Sequence, residues 1–309
     1  MSLLILSLAV TWDLALGEPP RLLHPVVWAG KIIGFLQARG PASGKTGQFL
    51  YGMFIVAFCA LLFAVPAYFL LAFLKGFNTV IFLVVSAWLL KSSFSFRALA
   101  ASAVKIRTLL EKGRIEEARY QMRSLVSRDV SNLDEPLLVA ATVESVAENS
   151  SDSFVAPLFF FLLGGVPGAL FYRVLNTCDA MIGYHGKFEF LGKSAARMDD
   201  VLNWVPARIT ALAMVAAAYL SRKNGPLAWR IMARDHSKTE SPNAGWPMSA
   251  AAGGLEIQLQ KVGHYTLGDN YDPPVPEKIR GSVALMGTSC SIWLFICLIV
   301  EGSRFVITS

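Results

Sequence analysis

Apolar residues run almost unbroken through Phe49 to Leu74, Phe77 to Leu90 and Ser282 to Val300. A bilayer is crossed by about 20 such residues, so all three predict membrane-spanning helices, the second with some extension. Leu3 to Leu16 is a shorter candidate. The opening segment MSLLILSLAVTWDLALG lacks a basic start and carries Asp13, which reads as a retained short membrane helix rather than a cleaved leader. Two further apolar stretches are interrupted. Phe154 to Leu175 contains Gly164, Gly165, Pro167 and Gly168, and Val201 to Leu220 contains Pro206 and Arg208, all unfavourable in a continuous apolar helix.

The pattern changes between Lys91 and Ser153. Apolar residues recur there at three and four positions, Gly113 marks a helix-helix turn, and Asp134 ahead of Glu135 and Pro136 caps another helix running toward Asn149. This predicts a helical hairpin plus one helix on the membrane surface. Ser221 to Arg280 is rich in Gly, Pro and Asn as well as Lys and Arg, and reads as loop with short helices. If both polar stretches are cytoplasmic, an even number of crossings separates them. The interrupted stretches 154–175 and 201–220 then either both cross or are both re-entrant; the re-entrant arrangement is expected, because broken helices are tolerated where they are buried in protein or line a watery cavity. Three crossings before Lys91 put the N-terminus outside. The expected fold class is all-α: one polytopic membrane domain over residues 1–309, with a cytoplasmic amphipathic segment 91–153 and a cytoplasmic loop segment 221–280.

Composition supports this. Of 309 residues 54% are hydrophobic and only 16% charged, against roughly 25% charged in a soluble domain. Disorder, collagen and coiled coil are excluded. The net charge of +6 fits the Lys/Arg excess of cytoplasmic loops, and no basic stretch interleaved with aromatics suggests a nucleic-acid partner. Cys59, Cys178, Cys290 and Cys297 form no CxxC pair and read as packing residues. Gly40 to Thr46 imitates a phosphate-binding P-loop, but only three residues separate its glycines where four are needed. The histidines lack zinc-ligand spacing.

Chemistry concentrates in three clusters. Glu144, Glu148 and Asp152 are four apart and share one helix face. Like charges in a stripe repel, and oxygen ligands of this kind suit Mg²⁺ carried in with a nucleotide; the plain alternative is a solvated face. The stripe runs directly into an apolar segment, where charge marks function more often than on a free surface. The second cluster holds Asn176, Asp179, Arg197, Asp199, Asp200, Asn203 and Arg208. Asp199 and Asp200 stand four and three residues before Asn203, so they converge on a helix. Arg208, at the start of an apolar segment, should line a cavity or pair with an acid. The third cluster, Arg234, His236, Lys238, Asn243 and Trp246, has the cations, hydroxyls and turn residues of a phosphate-binding loop. His236 is a candidate base or simply a hydrogen-bonding residue; the same choice holds for His24.

The stretches HPVVWAGKIIG, VSRDVSNLD, VESVAENSSDSFVAPLF, YRVLNTCDAMIGY, ARMDDVLNWVPARITA and RDHSKTESPNAGWPMSAAAGGLEIQL together resemble the CobD/CbiB membrane proteins of cobalamin biosynthesis, the adenosylcobinamide-phosphate synthases. The resemblance runs in order from near residue 13 to about residue 260. It departs at Glu18, where the family usually has Asp. It implies ATP-dependent amide formation between a propionate carboxyl of adenosylcobyric acid and an amino-alcohol phosphate such as aminopropanol phosphate.

With that reaction in view, the acidic stripes motivate a set of expected roles. Glu144, Glu148, Asp152, Asp199 and Asp200 are expected to hold Mg²⁺-ATP, with Glu144, Glu148 and His236 as catalytic candidates. Arg128, Arg208, Arg234 and Lys238 are expected to contact phosphates, and Asn149, Asn176, Asp179, Asn203, Asn243 and Trp246 to contact substrate. Trp204 and Trp246 suit either a corrinoid surface or the bilayer interface. The expected location is the cytoplasmic membrane with the active site facing the cytoplasm; the oligomeric state is left open. Competing classes are a Mg²⁺-dependent intramembrane prenyl-type transferase, for which DDVLN supplies only one acidic motif, and a transporter, for which no internal repeat is seen.

Overall fold

The computed structural model describes residues 1–126, 128–183 and 189–308. Ser127 and Tyr184, which fall within the conspicuous motifs, lie outside the described residues. The chain is helical, in the order α1 (Ser2–Leu16), α2 (Pro25–Gln37), α3 (Lys45–Phe77), α4 (Thr79–Lys91), α5 (Phe96–Glu111), α6 (Ile115–Met122), α7 (Glu135–Ser150), α8 (Ala156–Ile182), α9 (Glu189–Leu202), α10 (Trp204–Leu220), α11 (Gly225–Asp235) and α12 (Gly245–Leu255). A two-stranded hairpin, β1 (Leu259–Lys261) and β2 (Tyr265–Leu267), follows, then α13 (Pro276–Thr308). Four helical stretches are long and apolar enough to cross a membrane: Lys45–Phe77, Thr79–Glu111, Glu135–Ile182 and Pro276–Ile307. Phe190–Leu202 with Trp204–Leu220 makes a fifth if the two count as one span. This is a multi-pass helical membrane protein.

The chain divides into two compact units. The first contains residues 1–95, 156–203 and 297–309. Its core packs Ala29 and Ile33 of α2 and Ile55, Cys59 and Ala60 of α3 against Val174, Leu175 and Cys178 of α8 and Leu191 and Ala195 of α9. The other side of α3 stays bare. Phe54, Phe58, Phe69, Phe73 and Phe77 are all exposed, a far larger apolar surface than a water-facing helix carries. Helix α8 breaks where the glycines predict: Gly165 has φ 62°, a left-handed value that residues with a Cβ avoid. The second interruption is corrected. Pro206 and Arg208 both lie inside α10, and the break falls at Asn203 between α9 and α10. Pro206 sits in the first turn, where its missing N–H costs no helix bond.

The second unit contains residues 96–155 and 204–296. Here α5 and α6 form the predicted hairpin, with Gly113 at φ 68° between them. Helix α7 is not a surface helix: Leu138 through Ala147 are buried without interruption. Its alanines let α12, β1 and α5 pack closely against it. Within the stretch expected as loop with short helices, α11, α12 and a hairpin form, and α12 belongs to the core. Every residue of α12 except Trp246 is buried, and a Cβ at Gly253 would stand 2.5 Å from the Leu227 carbonyl of α11. Small residues bring these two helices within backbone reach. The β1–β2 hairpin pairs Leu259 with Leu267 and Lys261 with Tyr265. Three-residue strands are too short for sequence alternation to reveal.

Candidate functional site

In the second unit, Glu144 lies on the buried face of α7, only 4% exposed. Arg128 donates to its Oε2 at 2.8 Å. Its Oε1 is buried and has no hydrogen-bond partner, and the same is true of Arg128 Nε. The hairpin carries Tyr265 to the same carboxylate, and Lys261 adds a positive charge nearby. Burial, then the charges of Glu144 and Glu148, push the Tyr265 hydroxyl well above its ordinary pKa, so it remains a protonated donor at neutral pH. Lys261 and Tyr265 are invisible in the sequence pattern because only the hairpin register places them here. Immediately beyond, Ser151–Val155 winds as one π-helical turn, a rare form frequent at functional sites. Asp152 rides on this turn, half-buried, and Ser151 Oγ is buried without a partner. Asn149 donates to the Ser145 carbonyl at 2.9 Å and accepts from Ser153.

Around the start of α12 the predicted third cluster assembles with Arg208. Trp204 and Trp246 face the Arg208 guanidinium at 4.2 and 4.7 Å from their ring centres, and His236 lies against Trp246 at 4.0 Å. Arg208 donates to the Trp204 carbonyl at 2.6 Å and to Asn243 Oδ1 at 3.3 Å. Of the two expectations for it, lining a cavity or pairing with an acid, the second is not met among the described residues: two aromatic rings and two neutral oxygens surround it. His236 Nδ1 lies 3.1 Å from the Met232 carbonyl. Trp246 Nε1 is buried and unpartnered.

Arg234 and Lys238 meet on a carboxylate that the sequence pattern does not single out. Asp235, fully buried, accepts from Arg234 at 2.7 and 2.8 Å, from Lys238 at 2.6 Å and from the Gly268 N–H at 2.8 Å. Burial raises its pKa, but these donors outweigh it and hold the carboxyl at about 2. Arg234 also grips Asp269 at 3.0 Å. The adjacent Arg, Asp and His are a signal in the sequence; the burial of the Asp is not.

The remaining predicted residues belong to the first unit. Asp199 accepts from Asn176 at 3.1 Å and from Asn203 at 2.9 Å, the convergence that the four-residue spacing predicts. Asn176 Oδ1 is held by Arg173 and Asn203 Oδ1 by the buried Tyr172. Asp179 packs beneath Gly183, where a Cβ would overlap its Oδ1. Asp200 is half-buried and Arg197 exposed. Asp199 and Asp200 thus fall in one unit and Glu144, Glu148 and Asp152 in the other. Among the described residues no three His, Cys, Asp or Glu side chains gather closely enough to form a metal cage.

A second network in the first unit is only partly visible in the sequence. Lys91, 0% exposed, lies 3.1 Å from Asp13 and 3.0 Å from Glu18, and donates to the Phe94 carbonyl at 3.0 Å. Glu18 also accepts from Ser95 at 2.6 Å and lies 3.2 Å from His24 Nε2. Burial raises the Glu18 pKa, yet His24, Lys91 and Ser95 together hold it at about 2.

A polytopic helical protein with charged clusters tucked among its helices is the class this structure defines. The CobD/Cbib protein family matches residues 6–286, and the chain belongs to that family. It is 52% identical over 294 residues to the cobalamin biosynthesis protein CobD of Dehalococcoides mccartyi, covering 95% of this chain and 96% of that one. The probable cobalamin biosynthesis protein CobD of Methanothermobacter thermautotrophicus is 39% identical with 98% of each chain covered. The CobD of Klebsiella pneumoniae is 35% identical over 94% of this chain and 95% of its own. No solved structure matches the chain.

Proposed function

We propose that this protein is an ATP-dependent amide ligase of the cytoplasmic membrane, joining adenosylcobyric acid to an amino-alcohol phosphate to form adenosylcobinamide phosphate. The family's place in cobalamin biosynthesis supports the reading. The observation that carries it is the half-engaged Glu144, a buried carboxylate with one oxygen on Arg128 and the other short of a well-formed hydrogen bond although the Tyr265 hydroxyl approaches the carboxylate. Native structures rarely leave such an atom idle without a ligand to receive it.

A carboxylate resists attack by an amine, so the reaction needs activation. The corrinoid carboxylate takes the γ-phosphoryl of ATP, giving an acyl phosphate and ADP; the amine nitrogen then attacks the acyl carbon, loses a proton, and inorganic phosphate departs. Glu144 and Glu148 offer the hard oxygen donors that Mg²⁺ accompanying ATP prefers, and such an ion needs only one or two carboxylates, not a resident cage. When bound it neutralises phosphate charge. Arg208, fixed between Trp204 and Trp246, holds a phosphate oxygen, as do Arg128 and the exposed faces of Arg234 and Lys238. His236 takes the proton from the amine, its ring fixed by Trp246. Asp152, Asn149 and Asn243 border the substrate in this unit. The site faces the cytoplasm, where ATP is available.

The test is an assay in membranes with adenosylcobyric acid, ATP and a panel of phosphorylated amino alcohols. ATP consumption should depend strictly on both the corrinoid acid and the amine. Turnover without either, or transport without ATP consumption, would overturn the ligase reading.

A further inference from the structure

Within the second unit, the end of α10 meets the first turns of α13, just where the apolar run of α13 begins at Ser282. Helix α10 closes in a Schellman turn: the Lys223 N–H reaches the Ala218 carbonyl at 2.8 Å and the Arg222 N–H the Tyr219 carbonyl at 3.3 Å. The left-handed position of that turn is filled by Arg222, at φ 53°, where a glycine would be unstrained. Ser221 Oγ lies 3.3 Å from Thr288 Oγ1, which holds the turn against α13. Lys223 places its ammonium over Gly281, where a Cβ would stand 3.2 Å from Nζ.

The cations gathered here are not all neutralised. Lys278 is held by Asp272 at 2.6 Å and by the Leu255 carbonyl at 2.8 Å. Glu277 is shared by Arg280 at 3.4 Å and Arg107 at 3.9 Å. Arg222 and Lys223 remain: among the described residues neither side chain has a hydrogen-bond or ion-pair partner. Lys223 is half-buried, and burial together with the Lys278 charge pushes its pKa below the ordinary value, so the ammonium pays for its place until an anion joins it. Leading up to the same turn, Leu212, Tyr219 and Leu220 lie on one face of α10 and are exposed. An apolar stripe that ends in uncompensated cations has the polarity of a lipid: acyl chains along the stripe, phosphate at its end.

We propose that this corner binds an anionic phospholipid, with its headgroup phosphate on Arg222 and Lys223 and its acyl chains on the exposed face of α10. Basic pockets between membrane helices bind such headgroups elsewhere. A free phosphate would use the cations alone and leave the apolar face bare; the lipid satisfies both. Bound there, it ties the end of α10 to the start of α13. The proposal stands apart from the ligase reading, because no residue of it belongs to the reaction site.

The test uses the full chain in nanodiscs of phosphatidylcholine with and without phosphatidylglycerol, released into detergent, with retained lipid counted by native mass spectrometry. Offered both lipids equally, the parent should retain phosphatidylglycerol at least tenfold over phosphatidylcholine, and the anionic nanodiscs should raise its melting temperature. Arg222→Gly combined with Lys223→Gln should cut that retention at least tenfold and abolish the rise in melting temperature. Glycine suits the left-handed turn, so in pure phosphatidylcholine the double variant should melt no lower than the parent; Lys223→Gln alone, read by the same criteria, covers a double variant that melts early. Equal retention by parent and variants overturns the proposal. So does an equal loss in Lys75→Gln, which removes a charge from the last turn of α3 and would mean that net charge alone attracts the lipid. Displacement of the lipid by millimolar inorganic phosphate would replace it with a free-anion site and overturn it as well.

Discussion

Two buried ion pairs, one in each unit, look alike on paper and differ in what they leave unfinished. Around Lys91 the charges meet one another: the ammonium meets Asp13, Glu18 and a carbonyl, and both Glu18 oxygens are engaged, although His24 Nδ1 on the network's edge is buried without a hydrogen-bond partner. Around Glu144 the pairing stops halfway, with Glu144 Oε1 and Arg128 Nε both buried and unpartnered. A completed network fixes the chain ends it joins, here the connection after α1 to the end of α4. An incomplete one stores desolvated donors and acceptors that a ligand can satisfy. The first arrangement is therefore read as structural and the second as chemical.

The largest effect expected is on the completed network. Lys91→Met leaves Asp13 and Glu18 facing each other without their shared cation. Removing one partner of a buried pair costs about 3–5 kcal/mol. Thermal unfolding in detergent should show a large drop, and an unchanged melting temperature would refute the structural role. Glu144→Gln should do the reverse. Its amide oxygen still accepts from Arg128, so melting should change little, while ligase turnover falls by about 10- to 100-fold, because a neutral amide is a weaker donor to the Mg²⁺ of ATP than a carboxylate. Near-normal turnover in a well-folded Glu144→Gln protein would remove that residue from the site and erase the distinction between the two pairs.

A smaller effect is expected at Arg208. Lysine keeps the charge but not the flat guanidinium that lies between Trp204 and Trp246. Loss of that stacking is worth about 0.5–2 kcal/mol, or roughly 2- to 30-fold in kcat/KM for Arg208→Lys. Unaltered kinetics would mean that the two rings merely shelter the cation.

The same contrast explains what was legible in the sequence. Long apolar runs announce their helices because lipid imposes length and composition together. The glycine break in α8 and the Asp199–Asn203 convergence were equally legible, being local in sequence. The break at Asn203 was missed because proline looks like the stronger breaker, although in a first turn it is harmless. Helix α7 was misplaced because it lies in the polar stretch 91–153, which reads as amphipathic surface helix; its alanines are what bury it. Lys91, Asp235, Lys261 and Tyr265 were overlooked for one shared reason. Lys91, Lys261 and Tyr265 acquire their roles from residues distant in sequence or from strand register, and the burial of Asp235 likewise comes from elements far along the chain.

An effect of similar size to that at Arg208, seen only on acidification, concerns Glu18. Glu18 is held at about 2 against an ordinary 4.5, so the folded state binds its proton less readily than the unfolded chain does. Its stabilising contribution is complete above the unfolded value, begins to fade below about pH 5, and is gone near pH 2. Every tenfold weakening of proton binding corresponds to about 1.4 kcal/mol, but a third of the Glu18 side chain is exposed, and solvent screening reduces the usable amount to about 1–2 kcal/mol. Melting temperatures followed from pH 6 down to pH 3 should fall more steeply for the parent than for Glu18→Gln, which has no carboxyl there to protonate. Parallel slopes would mean that Lys91 depends on Asp13 alone, and the first unit's network would then be one ion pair with a bystander rather than a closed set.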